Sequence, residues 1–236
     1  MWNKKSVLGV VPARGGSIGI KGKNLRTILG KSLVQHAIEI GKESDIIDFT
    51  VLTSDNKQIL NEGSLNAVDL CIKRPDKFSM SDSSSVDAWI HAWEYSEKKT
   101  GKLFEYSVLI QPTSPNRTTH ELEECFALLS EKDIGLVTTV SKVPSHFNPE
   151  KILLKKAESY TFFMNAGPTS HNRHYLPSYY FRNGNYYIAS KKHLIEKRLF
   201  LETNCAYHFS INEPVNIDEE IDLEMGELIM TRYPKK

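Results

Sequence analysis

Between residues 6 and 140, short apolar runs alternate with stretches of helical periodicity. No other feature of the 236-residue chain restricts its fold as strongly. Segments 6–11, 49–53, 68–72, 106–111 and 134–140 read as buried strands, too apolar throughout for a half-solvated sheet. Segments 32–42, 56–66 and 83–99 read as helices, and Thr118 or Thr119 starts a further one reaching residue 130. Leu33, Ala37 and Ile40 share one side of the first helix, and Val86, Ile90 and Trp93 one stripe of the third, with Asp82 or Ser83 as its cap. Strands separated by helices imply βαβ units with right-handed crossovers. The predicted fold is a three-layer α/β sandwich around a mostly parallel sheet.

The rhythm breaks after Val140. Residues 143–182 hold Pro144, Pro149, Pro168 and Pro177, with Tyr160, Phe162, Phe163, Tyr175, Tyr179, Tyr180 and Phe181. That is too many aromatics for a solvated loop, so the segment reads as a flap or hairpin leaving the sheet and covered by an interface. A strand at 185–189, a helix at 191–197, a strand at 206–211 and a closing helix at 219–231 follow. Residues 1–236 thus read as one domain carrying 143–182 as an excursion.

Thirty Lys and Arg balance 29 Asp and Glu, leaving a net charge of +1. That excludes a chain whose task is to coat nucleic acid or an anionic membrane. The three cysteines lack CxxC spacing, which disfavours structural zinc and a disulfide framework. No apolar run is long enough for a membrane span or signal peptide, so a cytoplasmic location is expected. The charge is nevertheless segregated. Residues 1–38 hold seven Lys or Arg and no acid; residues 199–231 hold eight acids and no Lys or Arg. The eight histidines are scattered, and His146, His171 and His174 lack a tight metal spacing.

The richest stretch for chemistry is residues 10–24, VVPARGGSIGIKGKN, leaving the carboxyl end of the first strand. Ligands of open α/β sheets bind there. Glycines let backbone N–H groups approach an anion, and Arg14, Lys21 and Lys23 add charge, which is the chemistry of a polyphosphate cradle. It is not a Walker A loop: Ser17 stands five residues before Gly22-Lys23, and Asn24 replaces the Ser or Thr. No GxGxxG register exists. No Ser/His/Asp or Cys/His constellation points to a covalent nucleophile.

Residues 13–24 resemble the signature of the CMP-sialic acid synthetases, the cytidylyltransferases of nine-carbon sugar acids, at Ala13, Arg14, Ser17, Lys23 and Asn24. The family's other motifs follow in order. Arg74-Pro75 precedes Asp82-Ser83-Ser84-Ser85, and Gln111-Pro112-Thr113-Ser114-Pro115-Asn116-Arg117 is close to QPTSPLR. Asn183-Gly184-Asn185-Tyr186-Tyr187-Ile188 resembles NGAIYI, and residues 217–223, IDEEIDL, resemble the metal-binding segment. Two positions depart: Ile18 replaces a phosphate-facing Lys, for which Lys21 is placed to substitute, and Asn216 replaces the first of two metal-binding acids.

The resemblance implies a Rossmann-like sheet of the nucleotide-diphospho-sugar transferase type and a homodimer built by the excursion. It also implies transfer of CMP from CTP to a nine-carbon 2-keto sugar acid of the sialic, legionaminic or pseudaminic type. In that reaction the anomeric hydroxyl attacks the α-phosphate directly and pyrophosphate leaves, so positioning and charge stabilisation dominate. Implied catalytic residues are Arg14, Lys23 and Asp218. Ala13, Gly15, Ser17, Lys21, Asn24, Arg74, Ser84 and Ser85 would join in holding the nucleotide. Ser85 is equally explained as a helix cap or first-turn residue. Gln111, Thr113, Ser114, Lys151, Arg173, Arg182 and Asn183 would meet the sugar acid, while Arg117 would meet it or a neighbouring acid. Asp218, with Asn216, would hold Mg2+; Asp222 fits a helix first turn instead. The competing expectations are a 3-deoxy-octulosonate or other sugar nucleotidyltransferase, and a nucleotide-binding homologue without catalysis.

Overall fold

The computed structural model describes the chain except residues 18, 81, 130–133, 165–166, 169–171, 173, 197–204 and 234–236. In chain order the elements are β1 (Val7–Pro12), β2 (Thr27–Ile28), β3 (Lys31–Ser32), α1 (Leu33–Glu43), β4 (Phe49–Ser54), α2 (Lys57–Leu65) and β5 (Leu70–Lys73). Then come α3 (Ser85–Thr100), β6 (Tyr106–Leu109), α4 (Thr119–Leu128), β7 (Leu136–Lys142), β8 (Leu153–Lys156) and β9 (Ser159–Phe162). The last are β10 (Tyr180–Ser190), β11 (Cys205–Phe209) and α5 (Glu220–Arg232).

One seven-stranded sheet runs in the order β11-β7-β10-β6-β1-β4-β5. Only β10 is antiparallel to its neighbours, β6 and β7. The alternation of β1 divides the core. Val7 and Val11 face α1, α2 and α4, joined by Ile38, Ile59 and Phe126. Leu8 and Val10 face α3, where Trp89 and Trp93 are wholly buried. Each fully buried side chain of this size contributes about 1.5–3 kcal/mol, so both faces are strongly fastened. Side-chain caps fix where helices begin: Ser32 accepts from Gln35 N–H at 3.0 Å, Ser84 from Val86 N–H at 3.1 Å and Thr118 from Glu121 N–H at 3.1 Å. The cap of α3 is therefore Ser84, neither Asp82 nor Ser83, and Ser85 is its first helical residue.

A third apolar cluster lies away from the sheet. Ile20 and Ile28 pack on Val215, Ile217, Leu223 and Met230. This cluster docks α5 and the segment before it onto the loop after β1, bringing the acidic end of the chain to the basic one.

The excursion holds the antiparallel β8–β9 hairpin, exposed at every position. Its last residues, from Tyr180 on, belong to β10, which pairs with β7 from Tyr180↔Lys142 onward. The expected helix at 191–197 is a single wide turn, Lys192–Glu196, with residue 197 outside the described residues. Among the described residues no helix is long and apolar enough to cross a membrane.

Candidate active site

A cleft of about 600 Å3 opens at the carboxyl ends of β1, β4, β5 and β6. Arg14, Ser17, Gly19, Lys23 and Asn24 line it from the loop after β1. Arg74 lines it from the end of β5, Ser83, Ser84 and Ser85 from the start of α3, Gln111 and Thr113 from the end of β6, and Asp218 from the segment before α5. The positive end of the α3 dipole thus opens on a cleft already rich in cations.

Internal bonds hold the loop after β1. Gly15 N–H donates to Asp55 Oδ1 at 2.8 Å. The amide of the buried Asn24 donates to the Arg14 carbonyl at 2.8 Å, fixing the main chain that carries the guanidinium. Arg14 Nη1 reaches the Met80 carbonyl at 3.0 Å. Arg74 is 5% exposed and donates Nη2 to the Thr53 carbonyl at 2.7 Å. Burial pulls its guanidinium down to about 10; Asp55 opposes the shift and Arg14 adds to it. Arg74 is thus charged at neutral pH and repelled by Arg14.

Across the cleft the two charged ends of the chain meet. Lys23 Nζ donates to the Ile217 carbonyl at 2.9 Å and to Asp218 Oδ1 at 2.8 Å. Gly19 passes so close to the Asp218 carbonyl oxygen that any Cβ there would collide with it. Ile217 N–H donates to the Thr113 carbonyl at 2.8 Å, tying the acidic segment to the loop after β6. The Asp222 carboxylate accepts from the N–H groups of Asp218 and Glu219 at 2.8 and 2.7 Å. It shapes the turn and is not directed at the cleft.

Among the described residues no group of three or more His, Cys, Asp and Glu could hold a metal ion. Asp218 and Asn216 lie in contact, the Asn216 amide donating to Asp218 Oδ2. Half a turn of that amide presents its carbonyl oxygen beside the carboxylate. One carboxylate and one neutral oxygen fit a hard cation that keeps most of its waters and takes its other ligands from phosphates.

Other expected site residues fall elsewhere. Ala13 and Ser114 are wholly buried, and Lys21 is exposed outside the cleft. Arg117 and Asn183 are 1% and 3% exposed and meet protein groups, so neither reaches the cleft surface. Asn183 instead builds the irregularity where β10 slips against β7, accepting from Thr139 Oγ1 at 2.6 Å and donating to Ser141 Oγ at 2.9 Å. Lys151 ends a short 3-10 turn outside the cleft. Arg182 stands among Tyr180, Phe181, Tyr207 and Phe209 on a separate surface. Arg173 and Ile18 lie outside the described residues. The sequence reading missed Phe78, Met80 and Ala88 in the cleft wall, and Asp55 behind it. Asp55 had a signal: it follows a buried strand at its carboxyl end.

Residues 8–232 match the sequence profile of the cytidylyltransferases. The chain belongs to that family. An N-acylneuraminate cytidylyltransferase of Escherichia coli is 26% identical over 230 residues, covering 94% of this chain and 52% of that protein. The chain thus spans about half the length of that relative. A CMP-N,N'-diacetyllegionaminic acid synthase of Legionella pneumophila is 27% identical, with 95% of this chain and 96% of the relative covered. A pseudaminic acid cytidylyltransferase of Campylobacter jejuni is 23% identical, with 94% and 95% covered. The fold resembles a solved CMP:2-keto-3-deoxy-manno-octonic acid synthetase in complex with CTP, at a TM-score of 0.71 and 14% identity, covering 96% of this chain and 99% of that one. The three-layer, mostly parallel sheet is therefore that of the nucleotidyltransferases.

Proposed function

We propose that this chain transfers CMP from CTP to a nine-carbon 2-keto sugar acid of the sialic, legionaminic or pseudaminic type, supplying an activated sugar for surface glycans. One observation carries the reading: Lys23 of the glycine-rich loop meets Asp218 inside a cleft that also presents Arg14, Arg74, Gln111 and the start of α3. Cations for a triphosphate, a carboxylate for its counter-ion and an amide for a sugar then share one space.

The anomeric oxygen forms a bond to the α-phosphorus as the bond to the bridging oxygen breaks, and pyrophosphate leaves with that electron pair. The hydroxyl proton passes to solvent water in the same event. Arg14 and Lys23 hold the triphosphate and take up charge developing on the leaving group. Binding the nucleotide draws Lys23 away from Asp218, freeing that carboxylate. Asp218 and Asn216 would hold Mg2+, which when bound adds positive charge at the phosphate oxygens. Arg74, Ser84 and Ser85 are placed for the cytosine, and Gln111 for a sugar hydroxyl or carboxylate. Ala13, Gly15, Ser17 and Asn24 set the loop's shape, with Lys21 in reserve at its outer side.

A second copy would complete the sugar half. Tyr160, Phe162, Phe163 and Tyr175 of the excursion are 44–76% exposed, and covering them in a homodimer removes a large apolar area from water. Lys151, Arg173 and Arg182 belong to that region and are its cations for a carboxylate substrate. The cytoplasm, which supplies CTP and keeps thiols reduced, is the fitting compartment for its three free cysteines.

The test is pyrophosphate release with CTP and Mg2+ across a panel of sialic, legionaminic, pseudaminic and 3-deoxy-octulosonic acids. Turnover with a nine-carbon acid is expected. Turnover with the eight-carbon acid alone would overturn the substrate assignment. Tight CTP binding without turnover on any acid would make the chain a nucleotide-binding homologue.

A further inference from the structure

Arg117 has an unusual setting. It is among the largest fully buried side chains, 1% exposed. Its Nη2 donates to the Gln111 carbonyl. Its guanidinium carbon lies 5.6 Å from the centre of the Tyr186 ring, and the Tyr186 hydroxyl donates to the Thr118 carbonyl at 2.7 Å. An arginine–tyrosine pair therefore pins both ends of the loop between β6 and α4. Nε and Nη1 have no hydrogen-bond partner among the described residues.

A buried guanidinium with open donors is a poor stabiliser, and an apolar side chain of like volume often serves a core at least as well. Its counter-charge is not a tight ion pair. Glu121, also buried, acts on it electrostatically, and accepts instead from Asn185 Nδ2 at 3.0 Å and from Ser210 Oγ. Burial raises the Glu121 carboxyl, and its bonds to Ser210 and Asn185 oppose that shift. Two open donors and no tight counter-ion among the described residues mean that core stability alone does not account for Arg117.

What Arg117 does hold is the main chain of Gln111, a residue of the cleft wall. A Cβ at Gly184 would come within 3.4 Å of Gln111 Oε1 and 2.9 Å of Ser114 Oγ, so β10 closes on this loop from the other side. Gln111 is clamped between a buried cation and a backbone bulge.

We propose that Arg117 is a positioning residue for the transfer reaction: it fixes the Gln111 main chain, and with it the direction in which the Gln111 amide enters the cleft, without touching either substrate. This rests on the cleft being a cytidylyltransferase site for a sugar acid.

The experiment is a double-mutant cycle on the full chain with Arg117→Met and Gln111→Ala. Arg117→Met should raise KM for the sugar acid about tenfold and leave KM for CTP within about twofold. In the Gln111→Ala background it should add less than about twofold. An unchanged acid KM, equal rises for both substrates, or multiplying effects in the double variant would overturn the proposal. If Arg117→Met does not fold, Arg117→Lys, which keeps the cation, is judged by the same criteria. If the wild type turns over no acid, the substrate reading fails and a signal independent of turnover decides the proposal. The Gln111 side-chain amide resonance, identified by its loss in Gln111→Ala, should shift or broaden in the Arg117 variant. An unaltered resonance would overturn it.

Discussion

The loop after β1 and the excursion after β7 both carry cations suited to an anionic substrate, yet the fold treats them in opposite ways. In the loop, Asn24 and Asp55 hold the main chain, and Lys23 is locked to a residue 195 positions away. Beneath it, Ile20 and Ile28 pack on Val215 and Ile217. In the excursion, β8 and β9 are exposed at every position, Phe163 is 64% exposed, and Lys151 and Arg182 stand outside the cleft. The difference teaches that the loop is fastened by bonds within one chain while the excursion leaves its hairpin exposed, and the proposed nucleotide and dimer-covered parts of the site divide along that line.

That contrast is open to attack on both sides. The largest effect should come from the loop side: Asp218→Ala abolishes pyrophosphate release, and Lys23→Ala lowers kcat by about 100-fold or more, with circular dichroism unchanged. Near-normal rates in either variant would remove the charge-stabilising role from this end of the cleft. On the excursion side, Leu154→Glu with Phe162→Glu places charge on the hairpin. Size-exclusion chromatography should show a monomer whose KM for the sugar acid rises about tenfold while calorimetric CTP affinity is kept. A variant that stays dimeric with an unchanged KM would break the comparison.

Arg74→Ala should weaken CTP binding by about tenfold, the equivalent of one charged hydrogen bond of about 1.4 kcal/mol. The smallest change expected is at Asn216→Asp. Restoring a second carboxylate should lower the Mg2+ concentration for half-maximal rate a few-fold, and chelation should silence both forms.

Much of this was legible beforehand. The strand and helix rhythm of residues 6–140 is written in local apolar periodicity, and it reappears with ends moved by one or two residues. That the glycine-rich loop leaves the carboxyl end of the first strand was legible too, and the family resemblance pointed to Asp218; both line one cleft. The side chains beyond β6 were less so. Arg117 reads as a contact for the substrate or for a neighbouring acid, and nothing local says that Tyr186 and Glu121 will close over it. Asn183 likewise reads as a sugar ligand, and burial among Thr139, Ser141 and Ser210 makes it a strut. Phe78 and Met80 give no signal, being ordinary apolar residues in a loop until the fold turns them toward a cleft.

By itself the sequence determined the class of sheet, the helix faces and the residue types of its first loop, because those depend on side chains a few residues apart. Only the tertiary structure decided which cations line the cleft and which are buried, that Ser84 caps α3, and that Lys23 meets Asp218. Those outcomes depend on distant segments competing for the same apolar surface. The packing of Val215 and Ile217 on Ile20 and Ile28, not any motif, is what brings the acidic end of this chain against its basic one.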